Sequence, residues 1–590
     1  GISDKKPTEK YMKKFILFTF FTVFNSFFIY SQWIPSCTLT NSWSSTSFDV
    51  GNCLKFKDGF IYITGASRQG STDNAIRTIK MNSSCSQQWV ATYTQNSITP
   101  LEVKGIDVDA SGNVYIVGYI NNGNDYDIIT LKYNSSGTQQ WTSVFDRGGN
   151  DKGNAIVVDR SGNVYITGSS DTLGTSNIRT IKYNSSGVII WAVQFDKGGS
   201  LSNTYGNDEA FGIAIDDDNS HPGYGIYVVG WYDNGMNCQP VDGDCEHDAQ
   251  IIHYTTGGTV GGHRHYGCGP NNEEDWATNV VVAPSGNVYA VGAKYCLESD
   301  AGYEFYGHEF MVMKCYWSND QTPVFRMDYD YCGNARYFHG KDGGEKIGVS
   351  LVVDENEYVY ATGYGEMDIT GSDYLTIKFN TDGTHSWVNT YNSAGNVNDK
   401  AYDIAINDNS VFVTGISDIL NSGSANIVTV KYNRNNGSEQ CVAIYNGNLN
   451  TDDGGYAVDV DGNNVYVGGV TNFSTVSDMI LLKYTECNDN EKDNLNDTSL
   501  RLNKSNIIPA TFDLFQNYPN PFNPSTIIQF DIPSNEMVNI SVYNSLGQIV
   551  AVLVNENITA GTYKIDFDAS SLPNGIYLYT LNAGNFSKTL

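Results

Sequence analysis

Basic residues are scarce in this chain. Lys and Arg together number 35 against 65 Asp and Glu, which gives a formal net charge of −30. A surface with this charge repels the phosphate backbone of nucleic acids, so we exclude a nucleic-acid partner. The same excess of acid is compatible with binding a cation or a basic ligand.

Recognisable catalytic motifs are also absent. The sequence contains no G-x-S-x-G, no H-E-x-x-H and no Walker loop. Its cysteines and histidines do not show the C-x2-C or H-x3-H spacing of a zinc site. We therefore predict no catalytic residue, no metal site and no cofactor, although calcium stays open because of the many carboxylates.

Long apolar runs are missing except for residues 15–30, which follow two lysines and precede the small residue Ser31. A basic start, an apolar stretch and a small exit residue predict a secretory signal peptide over residues 12–31. The alternative is a membrane anchor, but this run is short for a span. Residues 1–11 are interpreted as a non-native or misassigned upstream segment. We predict no transmembrane span in the mature chain.

What the chain has in abundance is glycine and tyrosine, 59 and 40 residues. Aromatic residues favour half-buried strands, and glycine supplies the turns between them. One phrase, Ser-Gly-Asn-Val-Tyr followed by a closing Gly, occupies residues 111–118, 161–168 and 285–292. Looser copies end at Gly65, Gly230, Gly363, Gly415 and Gly469, which makes eight copies.

A second phrase, built around Lys-Tyr-Asn, follows the copies at intervals of about 58 residues, close to one propeller blade. Trp89, Trp141, Trp191 and Trp387 mark a further strand after it. Each unit thus reads as four strands that must stack on neighbours to bury their faces. We predict an all-β fold with a β-propeller over residues 32–487. Eight blades are favoured and seven are possible, with residues 32–38 completing the last blade.

These phrases resemble the SBBP β-propeller repeat of secreted bacterial proteins, usually described as seven-bladed. The resemblance implies a fold and an extracellular setting, but no reaction.

The C-terminal part changes character. Residues 488–511 are polar and predict a linker, and several short strands over residues 512–590 suggest a small Ig-like β-sandwich. A Pro-rich motif opens this segment: Tyr518, Pro519, Asn520, Pro521, Phe522, Asn523 and Pro524.

This segment resembles the type A sorting domain of the bacterial type IX secretion system. The resemblance implies export through the periplasm and then release from, or attachment to, the outer-membrane surface. The secretion machinery would be one partner. Members of that family continue beyond the phrase found here at residues 584–587, so we expect the last strand to be missing.

Five acids share one register, eight residues before the end of the first strand of a unit: Asp151, Asp208, Asp275, Asp399 and Asp453. They could form an acidic rim around the channel mouth, which would bind a cation or a basic ligand. Alternatively, each carboxylate caps its own turn by accepting backbone N–H groups. Residues 107–112 also resemble the start of a calcium loop, but its twelfth position is Gly118 instead of Glu. We interpret this stretch as a hairpin turn.

Eleven cysteines on a secretory path predict disulfides. The candidates fall in enlarged loops of the fourth to sixth units: Cys238, Cys245, Cys268, Cys296 and Cys332. The sequence therefore predicts a non-catalytic adhesion or binding protein that presents these loops to a glycan, a polymer or a protein. The alternatives are a polysaccharide lyase or hydrolase that uses acids at the channel mouth, and a structural surface-layer component.

Overall fold

A computed structural model describes the chain in two compact units, Gly1–Cys487 and Asn488–Leu590. The described residues are 35–41, 47–69, 73–95, 101–172, 175–195, 207–233, 247–266, 275–300, 303–317, 323–330, 346–366, 371–393, 398–417, 424–447, 452–471, 477–485, 502–505, 509, 511–517, 520, 525–534, 536–544, 549–558, 560–568, 575–584 and 586–590. These residues form strands and connections without a helix, so they contain no helical segment that could cross a membrane.

The described strands of the first unit form propeller-like antiparallel sheets of four strands each, numbered here in chain order. They are sheet 1, β2 Ser47–Lys57, β3 Phe60–Gln69, β4 Asp73–Asn82, β5 Gln87–Gln95; sheet 2, β6 Leu101–Val108, β7 Val114–Asn121, β8 Tyr126–Tyr133, β9 Gln139–Phe145; sheet 3, β10 Asp151–Val158, β11 Val164–Thr172, β12 Thr175–Tyr183, β13 Ile189–Phe195; sheet 4, β14 Asp208–Asp216, β15 Gly225–Asp233, β16 His247–Tyr254, β17 Val260–Tyr266; sheet 5, β18 Trp276–Val282, β19 Val288–Asp300, β20 Tyr303–Trp317, β21 Pro323–Asp330; sheet 6, β22 Lys346–Val353, β23 Val359–Glu366, β24 Ser372–Phe379, β25 His385–Tyr391; sheet 7, β26 Asp399–Ile406, β27 Ser410–Ser417, β28 Asn426–Asn433, β29 Glu439–Tyr445; and sheet 8, β30 Gly454–Asp461, β31 Asn464–Thr471, β32 Asp478–Tyr484 and β1 Cys37–Asn41.

The repeated glycine has a steric cause. Gly118 closes β7 opposite a bulge in β6 between Val103 and Gly105. A Cβ on Gly118 would lie 1.9 Å from the carbonyl oxygen of Glu102, so no other residue fits without moving the strand. The same bulge and closing glycine recur in every sheet of the first unit, at Gly65, Gly168, Gly230, Gly292, Gly363, Gly415 and Gly469.

The first strands of consecutive sheets contact one another, and β30 of sheet 8 contacts β2 of sheet 1. The backbone N–H of Phe56 donates to Asp459 Oδ2 at 2.8 Å across this closing contact. An N-terminal strand completes sheet 8, because β1 pairs with β32. It spans Cys37–Asn41 rather than the predicted residues 32–38, and residues 32–34 lie outside the described part.

The repeated lysine and tryptophan join neighbouring sheets. Lys132 Nζ and Trp141 Nε1 of sheet 2 both donate to the carbonyl oxygen of Ser185 in sheet 3, at 3.0 and 3.2 Å. The Trp141 ring covers Gly187, whose φ of +80° belongs to the same turn. We call this arrangement the clasp. Equivalent Lys and Trp side chains donate to the carbonyl oxygens of Ser135, Thr256 and Arg434. Lys483 of sheet 8 donates to the carbonyl oxygen of Ser83 in sheet 1.

The second unit contains two four-stranded sheets. Their strands are β33 Leu502–Ser505, β38 Gly561–Asp568, β35 Ser525–Ile532 and β34 Asp513–Leu514 in one sheet, and β37 Ile549–Ile558, β36 Glu536–Asn544, β39 Tyr577–Ala583 and β40 Phe586–Thr589 in the other. A buried core of fifteen residues, including Ile528, Phe530 and Leu581, belongs to this unit.

The predicted linker differs from the structure. The predicted linker 488–511 contains β33, which pairs with β38, because Leu502 and its neighbours complete an open sheet edge. The last residues form β40 on β39, and Leu590 exchanges two backbone hydrogen bonds with Tyr579. The expectation that a further strand is missing stays a prediction.

Candidate functional site

The two ends of each sheet in the first unit differ. In sheet 2, the connections 109–113 and 134–138 lie at one end, because they join the first to the second strand and the third to the fourth. We call this end the turn edge. The loop edge, at the other end, carries the connection 122–125 and the connection 146–150 that leads to sheet 3. Antiparallel order gives every sheet of the first unit the same two edges.

The connections of the turn edge are short and are held by hydrogen bonds within the protein. Asp109 Oδ1 accepts the backbone N–H groups of Ser111 and Asn113, both at 2.9 Å, and its Oδ2 accepts Tyr115 Oη–H at 2.9 Å. This confirms the hairpin-turn interpretation of the calcium-like stretch. The clasp acceptor Ser135 belongs to the second connection of this edge.

The loop edge varies in length. Two residues separate β11 from β12, whereas residues 234–246 separate β15 from β16 and residues 331–345 separate β21 from β22. The last two connections lie outside the described residues. Length variation at one end of a rigid sheet is typical of binding loops.

The five predicted rim acids start or precede the first strands, at the loop edge, but they do not form an exposed rim. All are buried: Asp151, Asp208, Asp275, Asp399 and Asp453. Asp453, for example, accepts the N–H of Gly447 and the hydroxyl of Thr471, both at 2.6 Å. Asp399 accepts the Ser393 N–H at 2.7 Å.

Their burial contradicts an exposed rim, and the turn-capping alternative describes Asp151, Asp399 and Asp453. A buried carboxylate needs donors for its oxygens, and the backbone of the preceding connection supplies them. Asp151 accepts the Arg147 N–H at 2.7 Å, and a hydrogen bond from the Ser170 side chain also favours its charged form.

Asp151 belongs instead to a cluster that the sequence did not single out. Asp127 at the start of β8 and Asp146 just after β9 each bring a carboxylate oxygen within 4.8 Å of an oxygen of Asp151 and of each other. Burial raises the pKa of Asp127, and the charges of Asp146, Asp125 and Asp151 raise it further. Burial also raises the pKa of Asp151.

A sequence signal for Asp127 existed. An acid stands five residues before the repeated Lys or its His replacement in several units, at Asp127, Asp248, Glu309, Asp373 and Asp478. In sheets 2, 4, 6 and 8 this position lies within the first two residues of the third strand, so it is at the loop edge; in sheet 5, Glu309 lies further inside β20.

The disulfide candidates mostly cannot be placed, because Cys238, Cys245, Cys268 and Cys332 lie outside the described residues. Cys296 lies in β19 opposite Gly307 and not in a loop, because β19 and β20 continue well beyond Gly292. Among the described cysteines, Cys53 and Cys315 are free and buried, and burial raises the pKa of each thiol to about 12. Such thiols are unreactive. Cys85 and Cys441 are disulfide-bonded.

Of the predicted sorting motif, only Asn520 is described, and its Nδ2 donates to Asn517 Oδ1 at 3.2 Å. Tyr518, Pro519, Pro521, Phe522, Asn523 and Pro524 lie outside the described residues. Asn517 is anchored in turn, because its N–H donates to Tyr579 Oη at 2.7 Å, and Tyr579 donates to the Phe515 carbonyl at 2.9 Å. The residues before the motif are thus fixed to β39.

Comparison with protein families identifies both parts of the chain. Residues 516–590 match the secretion system C-terminal sorting domain. The chain carries a type IX secretion sorting domain. Residues 140–173 match the SBBP β-propeller repeat, so both resemblances drawn from the sequence are confirmed. The sorting domain implies recognition by the type IX machinery and export to the cell surface or the extracellular space.

Several solved structures resemble this chain over much of its length. A europium-containing methanol dehydrogenase is 9% identical with a TM-score of 0.42, covering 76% of this chain and 93% of its own. A PL25 ulvan lyase is 12% identical with a TM-score of 0.37, covering 69% and 95%. Sqt1 from Chaetomium thermophilum is 8% identical with a TM-score of 0.42, covering 76% and 100%. Likenesses this remote carry no argument about activity, and the comparison with curated proteins finds no match.

Proposed function

We propose that this is a secreted or surface-attached, non-catalytic binding protein of the adhesion type. Its eight sheets form an eight-bladed propeller, and the loop edge of that propeller contacts a glycan, a polymer or a protein. The second unit, an Ig-like sandwich, directs export after a signal peptide has been removed. The observation that carries the proposal is the contrast between the two edges of the first unit.

The turn edge is occupied by contacts within the protein. Its connections hold the clasp acceptors, so they join one sheet to the next and leave little freedom to adapt to a ligand. The loop edge holds the long connections 234–246 and 331–345. A rigid scaffold with variation at one end is the usual arrangement of a recognition surface.

A non-catalytic role is supported by the state of the rim acids. A glycoside hydrolase needs two carboxyl groups flanking the scissile bond, with room for substrate between them. Asp399 and Asp453 are buried and bound to backbone N–H groups, so they are poorly placed to meet a sugar.

The test is a polysaccharide and glycan array probed with the purified full-length chain, with reducing ends and unsaturated uronates assayed in the same wells. We expect binding without product. Replacing residues 234–246 by a short Gly-Ser connection should abolish binding, whereas Ser136→Glu at the exposed turn edge should not. Release of product would establish the enzyme alternative instead, and equal loss with both variants would contradict the assignment of the loop edge.

Export is tested in the producing bacterium. Deleting residues 512–590 should trap the first unit in the periplasm, while Lys588→Ala, which removes an exposed ion pair with Asp513, should leave secretion intact. Secretion of the truncated chain would contradict the sorting role.

A further inference from the structure

The carboxylate cluster at the loop edge between sheets 2 and 3 combines two buried acids with one exposed acid. Asp127 is 4% exposed and Asp151 is fully buried, whereas Asp146 faces solvent. Asp127 Oδ2 accepts the Asn122 side-chain amide at 3.0 Å. Oδ1 of Asp127 is buried and accepts no hydrogen bond, whereas a hydrogen bond from the Ser170 side chain favours the charged form of Asp151. A buried, charged oxygen without a partner is costly, so some group must compensate for it.

A related position in the same fold shows one form of compensation. Between sheets 5 and 6, Glu309 stands in the register of Asp127 and Lys346 in that of Asp151. Lys346 Nζ lies 3.1 Å from Glu309 Oε1, and its side chain is only 4% exposed. This interface therefore supplies its own cation where sheets 2 and 3 place a second acid.

Positive charge near the cluster comes from Arg179, which favours the charged form of Asp151. Its Nη2 donates to Gln194 Oε1 at 2.8 Å. The side chain of Asp125 adds a further negative charge beside Asp127.

We propose that Asp127, Asp146 and Asp151 bind one calcium ion that joins sheets 2 and 3 at the loop edge. Calcium takes six to eight oxygen ligands in flexible geometry, with carboxylates and water among them. Three carboxylates converging within one ligand sphere suit this ion, and the exposed side of Asp146 leaves room for water. The ion would also fix the connection 146–150, which belongs to the proposed binding surface.

The experiment is calorimetric titration of the metal-stripped full-length chain with calcium, with thermal unfolding followed in parallel. We expect Asp127→Asn to bind one calcium fewer than the unchanged chain, with a smaller calcium-induced rise in Tm. Asp146→Asn, at an exposed position that folding does not need, should weaken the same binding step about tenfold, because affinity follows ligand charge.

The matched control is Asp373→Asn. Asp373 has the position in sheet 6 that Asp127 has in sheet 2, but Asn392 stands where sheet 2 has Asp146. This variant should keep the full stoichiometry. Unchanged calcium binding in Asp127→Asn and Asp146→Asn would overturn the proposal, as would equal losses in Asp373→Asn. Since the readout is metal binding, failure of the glycan-binding proposal would leave this test unaffected.

A second inference rests on the clasp at the closing contact between sheets 8 and 1. Cys85 occupies the turn position of the clasp glycines: its N–H donates to the Asn82 carbonyl as that of Gly137 does to Asn134. Its φ of +59° is left-handed, as in Gly137. Non-glycine residues are uncommon in this conformation, and Cys85 is one of three among the described residues.

The partner position is equally well defined. Cys37 pairs with Lys483 in β1 and β32, as Trp141 pairs with Lys132 in sheet 2. Lys483 donates to Ser83 in the turn of Cys85, which completes the correspondence. At this interface, therefore, cysteine occupies both the position of the clasp tryptophan and the position of the clasp glycine.

We infer that Cys37 and Cys85 are joined by a disulfide that replaces the tryptophan–glycine contact. The two thiols lose two protons and two electrons to the oxidised disulfide of a periplasmic thiol oxidant, which becomes the dithiol. The bond ties the N-terminal strand of sheet 8 to sheet 1.

The test is peptide mapping of the alkylated, unreduced chain by mass spectrometry. We expect the peptides of Cys37 and Cys85 as one species that separates on reduction, and Cys53 alkylated only after unfolding. Cys85→Gly restores the ordinary turn residue and should lower the Tm, and reductant should lower it less in this variant than in the unchanged chain. Separate Cys37 and Cys85 peptides, or a different partner for either, would overturn the inference.

Discussion

The clasp predicts what one added methyl group does to the first unit. A Cβ on Gly187 would lie 2.6 Å from Cδ2 of Trp141, at a φ of +80°. Gly59 has almost the same φ, +81°, but nothing lies within 4 Å of its Cβ position. The pair Gly187→Ala and Gly59→Ala therefore separates the cost of the backbone conformation from the cost of the contact.

The magnitudes follow from these two terms. An alanine in the left-handed region costs about 1–2 kcal/mol, and both variants carry this cost. Gly187→Ala must also displace Trp141, which stacks on Tyr183 at 6.0 Å and donates to Ser185. Overpacking of this kind costs a further ~1–3 kcal/mol of unfolding free energy. We expect a loss of about 1–2 kcal/mol for Gly59→Ala and about 2–5 kcal/mol for Gly187→Ala.

Tryptophan fluorescence during urea unfolding is the appropriate assay, because all nine tryptophans of the chain lie in the first unit. The signal is then free of contributions from the second unit. Equal losses of unfolding free energy in the two variants would refute the reasoning, since they would mean that the Trp141 contact with Gly187 does not hold the sheets together.

Three further predictions concern interfaces between sheets. Lys132→Met removes one of two donors to the Ser185 carbonyl and should cost about 1 kcal/mol in urea unfolding. Arg434→Met leaves Asp354, 2.7 Å away, as an uncompensated buried acid and should cost about 3–5 kcal/mol at neutral pH; adding Asp354→Asn should recover much of it, and no recovery would contradict the pairing. Burial raises the pKa of Asp403 to about 6 from 3.8. The contribution of this group to the free energy of unfolding is therefore fully present below pH 4 and is lost as pH rises through 6. The stability of Asp403→Asn relative to the unchanged chain should accordingly increase between pH 4 and pH 7 by on the order of 2 kcal/mol. Parallel pH profiles of unfolding free energy for the two proteins would contradict this.

Much of the fold was predictable because the repeat is strict where geometry is strict. Gly118 and its equivalents stand where a Cβ would meet a carbonyl, and the repeated Lys and Trp mark contacts that every clasp needs. The phrases thus predicted the strands, although the sequence did not reveal that Lys and Trp act between sheets.

The candidate site was harder to predict, because sequence position does not tell which way a side chain faces. Asp453 and Asp399 recur in the sequence as a binding ring would, but each is buried and accepts the backbone N–H of the connection that precedes it. The Asp127 cluster depends on contact between neighbouring sheets, and only the structure shows which strand starts are adjacent. Strand β33 was missed because Leu502–Ser505 has one apolar residue followed by three polar ones, which gives no alternating pattern.

The closure of the first unit poses a kinetic problem that the proposed disulfide would ease. Ser36 and Lys483 meet in sheet 8 although 447 residues separate them in sequence, so this pairing must follow synthesis and export of the whole unit. Contacts of such long range slow folding more than they lower stability, because the entropy of loop closure grows only with the logarithm of length. Cys85 lies in sheet 1, which follows β1 directly in the chain. A bond from Cys37 to Cys85 can form early and hold β1 beside sheet 1. When β32 arrives beside sheet 1, its pairing strand is then already in place, and the closing step is reduced to the docking of sheet 8.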